Sequence, residues 1–194
     1  MVQRILVTLM LSLMVGVPGT TAFANMGRIA SITLSPQLPV MRADTPVPQE
    51  PAQLLYIQRT LNRNTVIYAA RFDAQGNLDA RSPIDVYWRR YEEQGQIQPL
   101  TLEQRLLAYG VRVRPLPAPG EFDVRFRAMA EARITLRQTG RFQAELIGTV
   151  GNDSMRLIYA HINATDGLFP RVIEVHLTGR HPDGRYATVV IRPN

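Results

Sequence analysis

The stretch FDVRFRA, Phe122 to Ala128, decides the fold. Apolar Phe122, Val124 and Phe126 alternate with charged Asp123, Arg125 and Arg127. In an extended strand successive side chains point to opposite faces, so the apolar set lines one face and the charged set the other. A helix would scatter both sets around its axis. The same period of two recurs along the chain. Arg133 to Gln138 sets Ile134 and Leu136 against Arg133, Thr135 and Arg137. Thr65 to Phe72 places Val66, Tyr68, Ala70 and Phe72 together, and Asp73 to Gly76 supplies a turn after it. Ile84 to Arg90 sets Ile84, Val86 and Trp88 against Asp85, Tyr87 and Arg89.

Four later runs alternate less cleanly: Ala144–Val150, Met155–Ile162, Arg171–Thr178 and Tyr186–Arg192. Apolar residues on both faces mark strands that are central or covered on both sides. One helix interrupts the series. Thr101 and Gln104 make a capping box, and Leu102, Leu106 and Tyr109 fall on one face. Gly110 stands where a left-handed residue closes a helix. Strands joined by short turns pair antiparallel, because parallel pairs need long crossovers. The expectation is therefore a mainly β fold: a single antiparallel meander sheet, strongly bent or barrel-like, with one short helix near residues 101–109.

Upstream of the strands the composition changes. Residues 1–24 read as a secretory signal peptide: Arg4 in a short basic region, an apolar run from Ile5 to Val17, breakers Pro18 and Gly19, and the cleavage pattern Ala22-Phe23-Ala24. Cleavage is expected after Ala24, which places the remainder in the periplasm or outside the cell. The apolar run is shorter than the ~20 residues of a spanning helix, so retention as an anchor is the lesser alternative. Residues 25–51 read as a stiff, extended leader, because Pro36, Pro39, Pro46, Pro48 and Pro51 forbid both helix and central strand. Within it, Ala30 to Leu34 is the one stretch fit for an edge strand. Residues 52–194 are expected to form one β domain.

Composition narrows the chemistry. The chain has no cysteine, which removes disulfides, thiol nucleophiles and cysteine metal sites. Its formal charge is +6, and all 22 basic residues are arginine. Arginine offers a planar fork for carboxylate or phosphate, although here the arginines are dispersed rather than blocked. Nucleic acid is not an expected partner for an exported chain.

Several segments resemble one protein family. They are Tyr56 to Arg59 with Asn62, Asn64, Thr65, Val66 and Tyr68; Pro83, Ile84, Val86, Tyr87, Trp88, Arg90 and Tyr91; and Gln104, Arg105, Ala108, Tyr109 and Gly110. Looser matches follow at Asp166, Gly167, Pro170, Val172, Ile173, Leu177 and Gly179. Together they resemble the DUF4833 family of uncharacterised exported bacterial proteins, over about Pro48 to Arg192. The chain departs from the family pattern at Ala164-Thr165 and Leu168-Phe169, where a loop richer in glycine and aromatics is expected. The resemblance implies an exported domain and carries no reaction, cofactor or catalytic residue.

Two clusters stand out as candidate sites. Arg59, Tyr87, Trp88, Arg90, Tyr91, Arg105 and Tyr109 combine guanidinium forks with aromatic rings, a pairing suited to an anionic or sugar ligand. Trp88 alternates with Ile84 and Val86 and so belongs to the core. Arg90 on the same face then needs a carboxylate, with Glu103 or Asp85 the nearest choices. The second cluster is weaker: Glu174 and His176 lie two apart on a strand, and His161 lies on another, a possible His/His/carboxylate metal set. There is no H-E-x-x-H, G-x-S-x-G or glycine-rich phosphate loop, so no catalytic residue is assigned. A third feature is a stripe of outward Arg125, Arg127, Arg133 and Arg137, facing water or an anionic envelope surface. The sequence thus reads as an envelope-associated ligand-binding or accessory module, with no cofactor and at most peripheral membrane contact. Its partner would be a small molecule or an anionic envelope component. The alternative is a hydrolase of an envelope lipid or polymer using His161, Glu174 and His176.

Overall fold

The computed structural model describes residues 28–39, 43–60, 62–127, 129–150, 153–165 and 171–192. The signal-peptide segment 1–24 and the loop residues Asp166 to Pro170 lie outside the described residues. Twelve strands form one sheet. In chain order they are β1 (Arg28–Ser35), β2 (Gln53–Arg59), β3 (Asn62–Ala70), β4 (Ile84–Arg90), β5 (Gln96–Pro99), β6 (Val111–Pro115), β7 (Glu121–Phe126), β8 (Met129–Gly140), β9 (Gln143–Val150), β10 (Asp153–Ala164), β11 (Val172–Arg180) and β12 (Tyr186–Arg192). A single α-helix, α1 (Leu102–Leu107), follows β5, and a 3-10 turn, Tyr91–Glu93, follows β4.

β10 organises the sheet. One of its edges pairs with β11 from Arg156 to Ala164. Its other edge is shared: β9 pairs antiparallel with its first residues, and β2 pairs parallel from Tyr159 to Ile162. Two arms leave that edge, β2-β3-β4-β5 and β9-β8-β7-β6, while β11, β12 and β1 extend the opposite side. The sheet curls into an open half-barrel. The mainly β, strongly bent architecture with one short helix is as the sequence reads. The sheet is mixed, however, not a purely antiparallel meander. The short-turn rule governs neighbours such as β7 and β8, whereas β2 and β10 are distant in sequence and no hairpin constrains their direction.

Curling turns one face of every strand inward. Phe122, Val124 and Phe126 of β7 are buried there, as are Ile134 and Leu136 of β8, Leu146 of β9 and Leu157 of β10. They meet Leu55, Val66, Tyr68, Ile84 and Trp88 from the other arm. The arms are joined by rings: Phe126 packs edge-on against Tyr68 at 5.0 Å, and the Tyr68 hydroxyl donates to the Tyr109 carbonyl at 2.9 Å. Gln138 of β8 adds a polar tie, accepting from Leu78 N–H at 2.9 Å and donating to the Gly76 carbonyl at 3.1 Å.

The outer face is also covered, over β2, β3 and β10. Tyr56, Ile67, Ala69 and Tyr159 form a second buried cluster, with Leu38, Tyr87 and Ile158 packed against it. Leu38 belongs to the segment that the sequence assigns to an unpacked leader. The structure differs there in two ways. β1 is a full strand paired with β12 from Arg28 to Ser35. The chain beyond it then crosses the outer face, where Thr45 and Pro48 are buried. Proline bars this segment from sheet and helix but not from lying extended across a sheet.

The helix differs in its packing. The Thr101–Gln104 capping box forms, with both reciprocal hydrogen bonds present. Yet Leu102 is 71% exposed, and Leu106 and Leu107 are exposed as well, so the expected apolar face does not pack inward. The anchor is Gln104, whose Oε1 also accepts from Trp88 Nε1 at 3.1 Å. Gly110 is not left-handed. It is required because a Cβ there would stand 1.8 Å from the Arg105 carbonyl oxygen.

Candidate functional site

Trp88 is the centre of the first site. β4 directs its ring onto the inner face beside Val66, and it is 3% exposed. The Arg59 guanidinium, from the end of β2, lies 5.4 Å from the ring centroid. The Arg90 guanidinium, from the end of β4, lies 6.0 Å away. Tyr109 packs edge-on at 5.2 Å, and Gln104 holds the indole N–H. Two cations thus share one electron-rich face, each attracted by the ring quadrupole. The Arg90 guanidinium has a carboxylate partner, Glu93, at 2.6 Å. This replaces Glu103 and Asp85: the 3-10 turn after β4 brings the residue three positions on back over its own strand end.

The remaining members of the sequence cluster lie elsewhere. Tyr87 points to the outer face, where its hydroxyl donates to Glu50 at 3.5 Å. Burial, and then the Glu50 carboxylate, push its pKa up to about 12. Arg105 donates to the Leu100 carbonyl at the start of the helix, at 3.4 Å. Arg59, Trp88, Arg90 and Tyr109 are therefore brought together, and Tyr87 and Arg105 are not. A cleft of about 140 Å³ lies apart from this site, between Gln53, Leu54, Ala144, Glu145, Arg156, Leu157 and Ile158.

Sequence reasoning missed the strongest ion pair. Arg89, not Arg90, holds a bidentate carboxylate: Nε and a terminal nitrogen each donate to Glu50 at 2.6 Å. The Glu50 side chain is 7% exposed, and these bonds raise the Arg89 pKa above its usual value. Glu50 sits next to Pro51 in the segment set aside as leader, so only its isolation as an acid among prolines could have flagged it.

The second cluster assembles across the β10–β11 hairpin. His161 faces His176 in register, with ring centroids 6.4 Å apart. His176 Nε2 lies 2.8 Å from Glu174 Oε1. Arg192 of β12 donates to the other Glu174 oxygen at 3.3 Å. The His176 hydrogen bond, and then Arg192, hold the Glu174 pKa below the usual carboxylate range. Among the described residues, no group of three or more His, Asp or Glu side chains is arranged to hold a metal ion. The arginine stripe is partly neutralised on its own face, where Arg125 pairs with Asp123 at 3.0 Å and Arg137 with Glu121 at 2.8 Å.

The family model described as "Domain of unknown function (DUF4833)" matches residues 55–189. The chain belongs to the DUF4833 family. No curated protein and no solved structure matches it. The DUF4833 match runs from β2 into β12 and so contains both clusters, Trp88 with its arginines and His161 with His176 and Glu174. Glu50, the partner of Arg89, lies just before it.

Proposed function

We propose that this DUF4833 domain is an exported binding module of the bacterial envelope that takes an anionic group at Arg59 and Arg90. The observation that carries the reading is the pair of guanidinium groups set on one indole. Trp88 is fixed by Gln104 and by Tyr109, so the two forks are positioned before any ligand arrives. Guanidinium groups bind phosphate or carboxylate through parallel N–H···O bonds, and partial burial strengthens each bond. Because the indole is buried, a ligand would meet the arginine edges and not the ring. That geometry fits a phosphate presented at a surface, such as an anionic lipid headgroup, better than an enclosed small molecule. No helix among the described residues is long and apolar enough to cross a membrane, so contact with lipid would be peripheral.

Trp88 is the only tryptophan in the chain, so its emission reports on the site directly. Phosphatidylglycerol vesicles should change that emission, phosphatidylcholine vesicles should not, and Arg59→Gln with Arg90→Gln should abolish the change. Equal responses to both vesicles, or none, would contradict the reading.

One observation favours a second reading, a hydrolase of an envelope lipid or polymer. His176 is hydrogen-bonded to Glu174 at 2.8 Å, the base-and-orienter pair of general-base catalysis. Hydrolysis of a lipid ester by the purified protein, lost in His176→Gln, would favour it over binding alone.

A further inference from the structure

The crossing of residues 45–50 over the outer face has the features of a recognised ligand. Thr45 and Pro48 are buried while Pro46 and Val47 between them are exposed. Inward positions three apart match the three residues per turn of a polyproline helix. Such a helix makes no internal hydrogen bonds, so its carbonyls seek donors from a partner surface. The Pro46 carbonyl accepts from Gln58 Nε2 of β2 at 3.3 Å. Upstream, the Pro39 carbonyl accepts from the Tyr159 hydroxyl of β10. Downstream, Glu50 is held by the Arg89 fork and approached by the Tyr87 hydroxyl. The surface beneath is aromatic: Tyr56 and Tyr159 stack at 5.2 Å with planes 13° apart. Aromatic rings, side-chain donors to proline carbonyls and one basic residue for one acid are how proline-rich segments are read.

We infer that the outer face of β2, β4 and β10 is a docking groove for an extended proline-rich protein segment carrying an acidic residue, and that the chain's own residues 45–50 occupy it as a strap. A partner's segment of the same chemistry would enter by displacing the strap. Its apparent affinity for the intact chain is reduced by the small fraction of time the groove stands open. The anionic site at Trp88 lies on the inner face and is independent of this groove.

The test uses the full chain and a labelled synthetic peptide, TPVPQEP, identical to Thr45–Pro51. Binding is followed by fluorescence anisotropy. Glu50→Ala vacates the seat at Arg89, and Pro48→Gly loosens the strap while keeping the acid. Each should bind the peptide about tenfold or more tightly than the unaltered chain, as release of a competing strap requires. A peptide with glutamine in place of its glutamate should lose that gain, and so should Arg89→Ala added to Glu50→Ala. Three results would overturn the inference: no gain in either variant with the β-sheet circular dichroism intact, a gain indifferent to Arg89, or collapse of the sheet in both variants. The last would make the strap a structural element only.

Discussion

The β7–β8 arm and the β2–β3–β10 region are built from the same kind of strand, yet they meet water differently. On β7, Phe122, Val124 and Phe126 are buried while Asp123 and Arg125 remain partly open and pair with each other. On β3, every residue from Asn64 to Ala70 is buried. The inner face of β3 joins the common core, and its outer face is roofed by residues 38–50. One arm is thus a half-solvated sheet whose alternation describes its burial. The other is the middle layer of a three-layer arrangement in which both faces are dry. A sheet face becomes interior when a distant segment covers it, and nothing in the strand's own alternation records that segment.

Four substitutions or conditions would break or sharpen this comparison. The largest effect is expected at the shared inner face. Leu136→Ala removes a fully buried side chain and should lower stability by about 2–5 kcal/mol in denaturant unfolding. Next is the roof of the outer face. Glu50→Ala removes the acid from a buried position and leaves Arg89, itself about a quarter exposed, without its fork partner. The cost should be about 1–3 kcal/mol, below the full penalty for a wholly buried pair because Arg89 can reach water.

Alkaline pH should act on the same outer layer. Tyr87 and Tyr56 are both raised above the usual phenol value of 10, chiefly by burial, and Tyr87 reaches about 12. A raised folded-state pKa gives stability that is complete below pH 10 and is lost as pH climbs through about 12. Unfolding midpoints should therefore hold steady to pH 10 and fall beyond it, with Tyr87→Phe flattening the decline. The smallest effect belongs to the half-solvated arm. Arg137→Ala breaks an exposed cross-strand pair with Glu121 and should shift stability by no more than about 1 kcal/mol.

The parts of the fold legible in the sequence are those fixed by neighbours. Alternation located β4, β7 and β12 and the inward residues of β7 and β8, because pleat geometry is local. The Thr101–Gln104 cap was legible for the same reason. The parallel β2–β10 pair was not, because pairing between strands a hundred residues apart leaves no turn to read. The helix packing failed where a polar residue, Gln104, replaced the apolar stripe as the anchor. Within the candidate sites, the common face of Glu174 and His176 followed from a spacing of two. The gathering of Arg59 and Arg90 around Trp88 depended on the β3 strand between them. The partner of Arg89 was hidden because proline composition argued against regular structure and was taken to argue against packing.

Hydroxyl-radical footprinting of the intact chain tests the two-sided burial most directly. If residues 38–50 roof the outer face, Tyr56 and Tyr159 should be protected as strongly as inner-face Phe126, while Phe142, 49% exposed at the β8–β9 turn, labels rapidly. Labelling of Tyr56 and Tyr159 at the rate of Phe142 would contradict it.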